Sequence, residues 1–227
     1  MKHTFFIKDW LNSFLSLLFP HCCVVCGRPL AKGEECLCIM CNINLPRTNY
    51  HLRKDNPVER LFWGQIPLER ATSFFFYRKG SDFRQILHQL KYGGKKEVGI
   101  IMGRYMAAEL SDSGFFEGVD VIIPIPLHKK KQQIRGYNQS ECIARGIAAV
   151  TGITVCVESV VRRKNTETQT RKSVFERWEN VDGIFELNHA DSLTGKHILI
   201  VDEGQCKNLR GKFINCYLCL QIHSLWN

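Results

Sequence analysis

Two Cys-x-x-Cys pairs, Cys23-Val24-Val25-Cys26 and Cys38-Ile39-Met40-Cys41, stand with eleven residues between them. Each pair forms a tight turn with both sulfurs on one side, so the four thiolates can close a tetrahedral site of the kind that zinc prefers. Four buried free cysteines would not explain the repeated spacing. Cys22 and Cys36 lie among them, and either could substitute in the ligand set. A closed four-sulfur site leaves no open position for water, so the expected metal is a structural Zn2+ that staples a small module without catalysing anything. Such zinc contributes on the order of 10 kcal/mol to folding a module of this size. The chain has eleven cysteines, an odd number, and six of them fall between Cys22 and Cys41. That clustering reads as metal binding in a reducing compartment rather than as a secreted disulfide framework, and the expected location is cytoplasmic.

With 227 residues the chain has room for one compact domain and a small module. Its 44% hydrophobic and 23% charged residues exclude a wholly disordered or coiled-coil chain. The net charge of +9 favours polyanionic partners, nucleic acid or phosphorylated small molecules, without choosing between them. The segment from Thr4 to Pro20 is apolar but interrupted by Lys8 and Asp9 and is followed by no small-residue cleavage site, so an amphipathic helix over 1–20 is expected in preference to a signal peptide. No other run approaches spanning length, and no stable membrane insertion is expected. The division expected from composition is this helix, a zinc module with connector over 21–67 and an alternating α/β domain from Leu68 onward. The connector carries Asn49, Asp55-Asn56-Pro57 and Pro67, the turn formers of a linker or lid.

From Thr72 the pattern alternates between β-prone and helical runs. Strands are expected at Thr72–Tyr77, Val121–Ile125, Thr154–Val157 and Lys196–Val201. Helices are expected around Phe83–Leu90, stopped by Gly93-Gly94, and over Val98–Leu110 and Ser140–Val150. Short apolar runs between helices describe a mostly parallel sheet, with ligands expected where its strands end. One such end is Pro124-Ile125-Pro126, followed by Lys129-Lys130-Lys131 and by Arg135-Gly136-Tyr137-Asn138-Gln139. Backbone amides at a strand-to-helix turn, backed by cations, can hold a phosphate or pyrophosphate; judged by charge alone, a basic loop is also simply a solvated face. The hydroxyl-rich basic stretch Gln169-Thr170-Arg171-Lys172-Ser173 could fold over such a ligand.

In their order and spacing these elements resemble the ComF family of phosphoribosyltransferase-like competence proteins. The likeness rests on the Phe19-Pro20 start with its paired Cys motifs, Gln89-Leu90-Lys91-Tyr92, the Pro124-Ile125-Pro126 turn, Arg135 to Gln139, Gln169-Thr170-Arg171 and Ile198 to Asp202. It implies a four-cysteine zinc module joined to a type I phosphoribosyltransferase-like α/β fold, and a role in handling single-stranded DNA during natural transformation, with recombination or DNA-uptake proteins as partners. It further implies Asp202 and Glu203 as the catalytic pair that meets the ribose hydroxyls. Pro126, Lys129, Arg135, Gly136, Asn138 and Arg171 are then the expected contacts to phosphoribosyl pyrophosphate.

The likeness stops at Glu203. The fold it implies follows the acidic pair with a Thr-Thr-Gly-Ala-Thr type loop for the ribose 5-phosphate, whereas this chain reads Gly204-Gln205-Cys206-Lys207-Asn208, with no Thr or Ser between Gly204 and Ile222. The implied phosphoribosyltransferase-like domain therefore spans 68–204 and is followed by an aberrant tail over 205–227, for which a truncation or reading-frame change, or a genuine divergent end, accounts. A missing strand there is expected to leave an exposed sheet edge. Three functions follow: a DNA-uptake protein that binds single-stranded DNA, a phosphoribosyltransferase of nucleotide metabolism, or an inactive truncated product. The absent loop predicts no phosphoribosyl transfer by the chain as written.

Overall fold

The structure is a computed structural model that describes residues 20–64, 68–77, 80–163, 185–188, 190–203, 205–207, 213–215 and 218–223. The helix expected over 1–20 falls outside these residues except for Pro20, and so does the Arg171 loop.

The chain is mixed α/β. A short helix α1 (Ile39–Ile43) lies in the cysteine module, and β1 (Leu68–Ser73), α2 (Arg84–Tyr92) and α3 (Lys96–Ser111) follow it. Next come β2 (Val121–Pro124), α4 (Lys129–Arg135), α5 (Gln139–Thr151) and β3 (Thr154–Val155). The remaining strands are β4 (Val160–Arg162), β5 (Phe185–Leu187), β6 (His197–Asp202), β7 (Gln205–Lys207), β8 (Phe213–Asn215) and β9 (Leu218–His223). The main sheet has the order β1-β9-β6-β2-β3. β2 runs parallel to both β3 and β6, while β9 is antiparallel to β6 and to β1. Four strands therefore point one way and β9 alone opposes them, in keeping with the mostly parallel sheet read from the sequence.

The continuous apolar run Val121-Ile122-Ile123 needs cover on both faces, and it has it. Ile122 joins Leu199 and Val201 under α3 and α5, while Val121 and Ile123 pack with Leu193 on the other side. The first of these cores continues through Met102, Met106 and Ile143 to Cys36 and Leu37, so the cysteine module shares apolar packing with the sheet's helical layer. Two ion pairs reinforce that seam: Glu35 with Arg104, and Arg47 with Glu109 at 2.5 Å. Helices α3 and α5 meet through glycines. A Cβ at Gly103 would overlap the Ile143 carbonyl, and one at Gly146 the Ile100 carbonyl, so the backbones approach more closely than any other residue allows.

Two expectations change. The connector does not hang free as a linker: Asn56, 2% exposed, donates to the carbonyls of Ala71 (2.8 Å) and Tyr50 (3.2 Å) and accepts from the amides of Val58 and Glu59. Buried Glu59 in turn accepts from the amides of Asn56 and Ala71, pinning the segment to β1. The exposed edge expected beside β6 is also absent. Residues 218–223 fill the space between β6 and β1, pairing Ile200 with Leu220 and Ala71 with the same Leu220. The parallel strands β1 and β6 stand one strand apart, and both present unpaired backbone groups to that gap. An extended segment of alternating sequence satisfies both edges at once.

Candidate functional site

The cysteine cluster is built from short-range geometry. Cys23 starts a tight turn, with Gly27 N–H donating to its carbonyl (2.9 Å) and Cys23 N–H to Arg28 O (2.8 Å); Gly27 takes the positive φ of 73° that the turn needs. Cys38 caps α1, placing Cys41 in its first turn. Glu34 fastens the intervening loop by accepting from the amides of Ala31 and Ile39, each at 2.7 Å. These turns bring the sulfurs of Cys23, Cys26, Cys38 and Cys41 within 4.8 Å of one another, close enough to hold a metal ion. The Cys26 and Cys38 sulfurs are 3.7 Å apart. A regular tetrahedron with Zn–S bonds of about 2.3 Å has sulfurs roughly 3.8 Å apart, so the set fits that metal. The Arg28 side chain hydrogen-bonds Cys26 and lowers its thiol to about 6, which favours the thiolate that a metal requires. The two spare cysteines stay out of the cluster. Cys22 is exposed and faces Pro20 O at 3.4 Å, and Cys36 is buried in the core, where desolvation pushes it up to about 12.

A second site lies where β2 and β6 end. Asp202 closes β6 and Glu203 follows it, facing Lys91 from α2 at 2.8 Å and Arg135 from the end of α4 at 3.7 Å. Ser140 Oγ stands 3.4 Å from Asp202 Oδ1 and accepts from the Glu203 amide at 3.3 Å. Burial raises the pKa of both carboxyls above the ordinary range; Lys91 opposes the rise on each but does not cancel it.

Of the expected ligand contacts among the described residues, Arg135 is the one brought to the acidic pair, and it is held by Gln139 Oε1 (2.8 Å) as well as by Glu203. Asn138 serves the backbone. Its side chain caps α5 through Ser140 N–H (3.2 Å) and donates to Ile125 O (3.0 Å), which sets the distance between β2 and α5. Gly136 is the left-handed end of α4, with φ of 81°. The basic stretch expected as a loop is this helix, capped by His128 and carrying Lys129 and Lys130 exposed in its first turn. Pro126 sits in the turn before it, half-buried. Downstream of Glu203, where a phosphate loop would sit, β7 pairs with β8 in an antiparallel ribbon.

Sequence reasoning did not bring Lys91, Ser140 or Tyr92 to this end of the sheet. Lys91 and Tyr92 carried a signal in the Gln89-Leu90-Lys91-Tyr92 motif, yet their meeting with Glu203 and Arg135 spans segments far apart in the chain. The Arg135 guanidinium lies 5.6 Å from the Tyr92 ring centroid. Beside this contact runs an open groove of about 460 Å³, lined by Tyr77, Arg84, Gln85, Leu87, His88, Lys91 and Tyr92. Among the described residues no helix is long and apolar enough to cross a membrane.

No protein-family model matches the chain. It is similar to the DNA utilization protein YhgH of three enteric bacteria: 27% identical to that of Shigella flexneri, 26% to that of Escherichia coli K12 and 25% to that of Salmonella typhimurium. Each likeness extends over 202 residues, 82% of this chain and 86% of the relative.

Proposed function

We propose that this chain is a ComF-type DNA-utilisation protein that holds single-stranded DNA on its basic surface, with Zn2+ as a structural metal in the four-thiolate cluster. The observation that carries the reading is the likeness to DNA utilization proteins over most of the chain, joined to a strand-end site that holds Lys91 and Arg135 and to the exposed Lys129 and Lys130 that open α4. Phosphates would be held by exposed lysines. Binding would therefore release counterions and weaken steeply as salt rises. The free thiols of the described residues suit a reducing compartment, and the reading includes a cytoplasmic location with DNA-uptake or recombination proteins as partners.

Phosphoribosyl pyrophosphate is the second candidate ligand, favoured by the position of Asp202 and Glu203 at the end of a parallel strand. Its contacts would be Pro126, Lys129, Arg135, Gly136 and Asn138, with Arg171 added from outside the described residues. The first reading is tested by titrating a labelled oligothymidylate at several salt concentrations. About three phosphate contacts give a log–log slope of roughly −2 on a single strand, and Lys129→Gln with Lys130→Gln should make it shallower. A flat response would mean that the +9 charge serves solubility alone.

A further inference from the structure

Helix α2 has two unlike faces. Ile86, Leu87 and Leu90 are buried and fix it to the body, while Arg84, His88 and Tyr92 recur every four residues on the outward side. The His88 and Tyr92 rings stand 5.3 Å apart at an interplanar angle of 49°, and Tyr92 is 70% exposed. A tyrosine so exposed is commonly a solvated surface residue, but this one has Arg135 at its ring and lines a groove together with Tyr77, Arg84 and Lys91. An apolar peptide would set the exposed Arg84 guanidinium against apolar surface, whereas Lys91 is already paired with Glu203. A nucleobase with its phosphate uses both features: the base lies against a ring, and the phosphate meets a cation. The groove's volume of about 460 Å³ lies within the usual range for small-ligand pockets, roughly 300–1,000 Å³.

We infer that the groove on the outward face of α2 is a base-stacking site for single-stranded DNA, with Tyr92 and His88 as the platform and Arg84 as a phosphate contact. The inference rests on the proposed DNA-binding function and gives it a location. It divides affinity into two parts that respond differently to experiment: stacking, which depends on the presence of bases, and phosphate pairing, which depends on salt.

The experiment is fluorescence anisotropy on the full chain with three probes: a 12-nucleotide oligothymidylate, an abasic deoxyribose-phosphate oligomer of equal length, and fluorescently labelled thymidine monophosphate. The wild type should prefer the base-bearing oligomer by about fivefold or more, the lower end of what one aromatic stack supplies. Tyr92→Ala should erase that preference while leaving abasic binding and the salt slope unchanged. Tyr92→Phe should keep it, and Arg84→Gln should lower the slope by about 0.7. If Tyr92→Ala fails to fold, both oligomers lose affinity together, and His88→Ala takes its place with the same expectation in smaller measure. Salt-dependent binding by the wild type with no preference for bases overturns the groove and leaves the proposed function standing. No binding of either oligomer overturns both. Direct binding of the fluorescently labelled thymidine monophosphate that depends on Tyr92, with neither oligomer bound, assigns the groove to a free nucleotide and overturns the strand assignment.

Discussion

The cysteine module and the strand-end site each gather four or five polar side chains, yet they are assembled in opposite ways. In the module, two tight turns within 19 consecutive positions, Cys23 to Cys41, bring four sulfurs within 4.8 Å, and nothing distant is needed. At the strand end, Asp202 and Glu203 acquire their surroundings from Lys91, Arg135 and Ser140, three segments that the fold alone makes neighbours. The first cluster is left with donors facing each other and a charge for a metal to neutralise. In the second, Glu203 already has two cations of its own, so a ligand's hydroxyls would compete with existing ion pairs.

The sharpest way to break this contrast is to remove one thiolate. Cys38→Ser should abolish stoichiometric zinc, measured by elemental analysis of the purified protein, and forfeit on the order of 10 kcal/mol of module folding. Limited proteolysis should then cut within residues 21–45. Full retention of metal by Cys38→Ser would show that the four sulfurs are not the ligand set.

A smaller but still large effect is expected at the strand end. The chain should release no detectable pyrophosphate from phosphoribosyl pyrophosphate across a panel of bases and amine donors. A chimera carrying a Thr-Thr-Gly-Ala-Thr loop and the strand and helix that would follow it should do so. Loss of one preorganised donor at a reacting centre costs about 100- to 1000-fold, and although a 5-phosphate cradle is remote from the bond that breaks, it positions the sugar. Turnover by the present chain at a rate near the chimera's would erase the contrast between the two regions.

The mildest test reads the carboxyl burial through pH. Asp202 and Glu203 have folded-state pKa values raised by desolvation, so above the ordinary carboxylate range of about 4 the folded chain holds protons that the unfolded chain has lost. Stability should fall as pH rises from there through the raised values. Asp202→Asn should therefore raise Tm by about 3 °C at pH 8 and leave it unchanged at pH 4. A lower Tm at pH 8 would mean that Lys91 and Arg162 gain more from the Asp202 charge than its burial costs.

The same contrast explains what could be read in advance. Spacing alone carries Cys23, Cys26, Cys38 and Cys41 to one point, and apolar runs place β2, α3, α5 and β6 within a few residues of their observed bounds. The helix at Lys129–Arg135 was hidden because three lysines and two glutamines offer no apolar stripe; a His128 cap and a left-handed Gly136 define it instead. Ser140 looked like an ordinary first-turn residue of a helix, and its place between Asp202 and the Glu203 amide depends on the parallel packing of β6 beside β2. The alternation Leu218, Leu220, Ile222 was present in the tail, but alternation does not say which two strands a third will separate.

That last strand sets the order of events during synthesis. Leu68 pairs with Ile222, about 150 positions along the chain, so a ribosome must deliver nearly all of the described sequence before β1 can find its neighbour. Until then the hydrogen-bonding edges of β1 and β6 face each other across an empty lane. Chains paused before Leu218 are consequently the species most open to pairing with one another, and a chaperone that shelters nascent edges would have its longest task here.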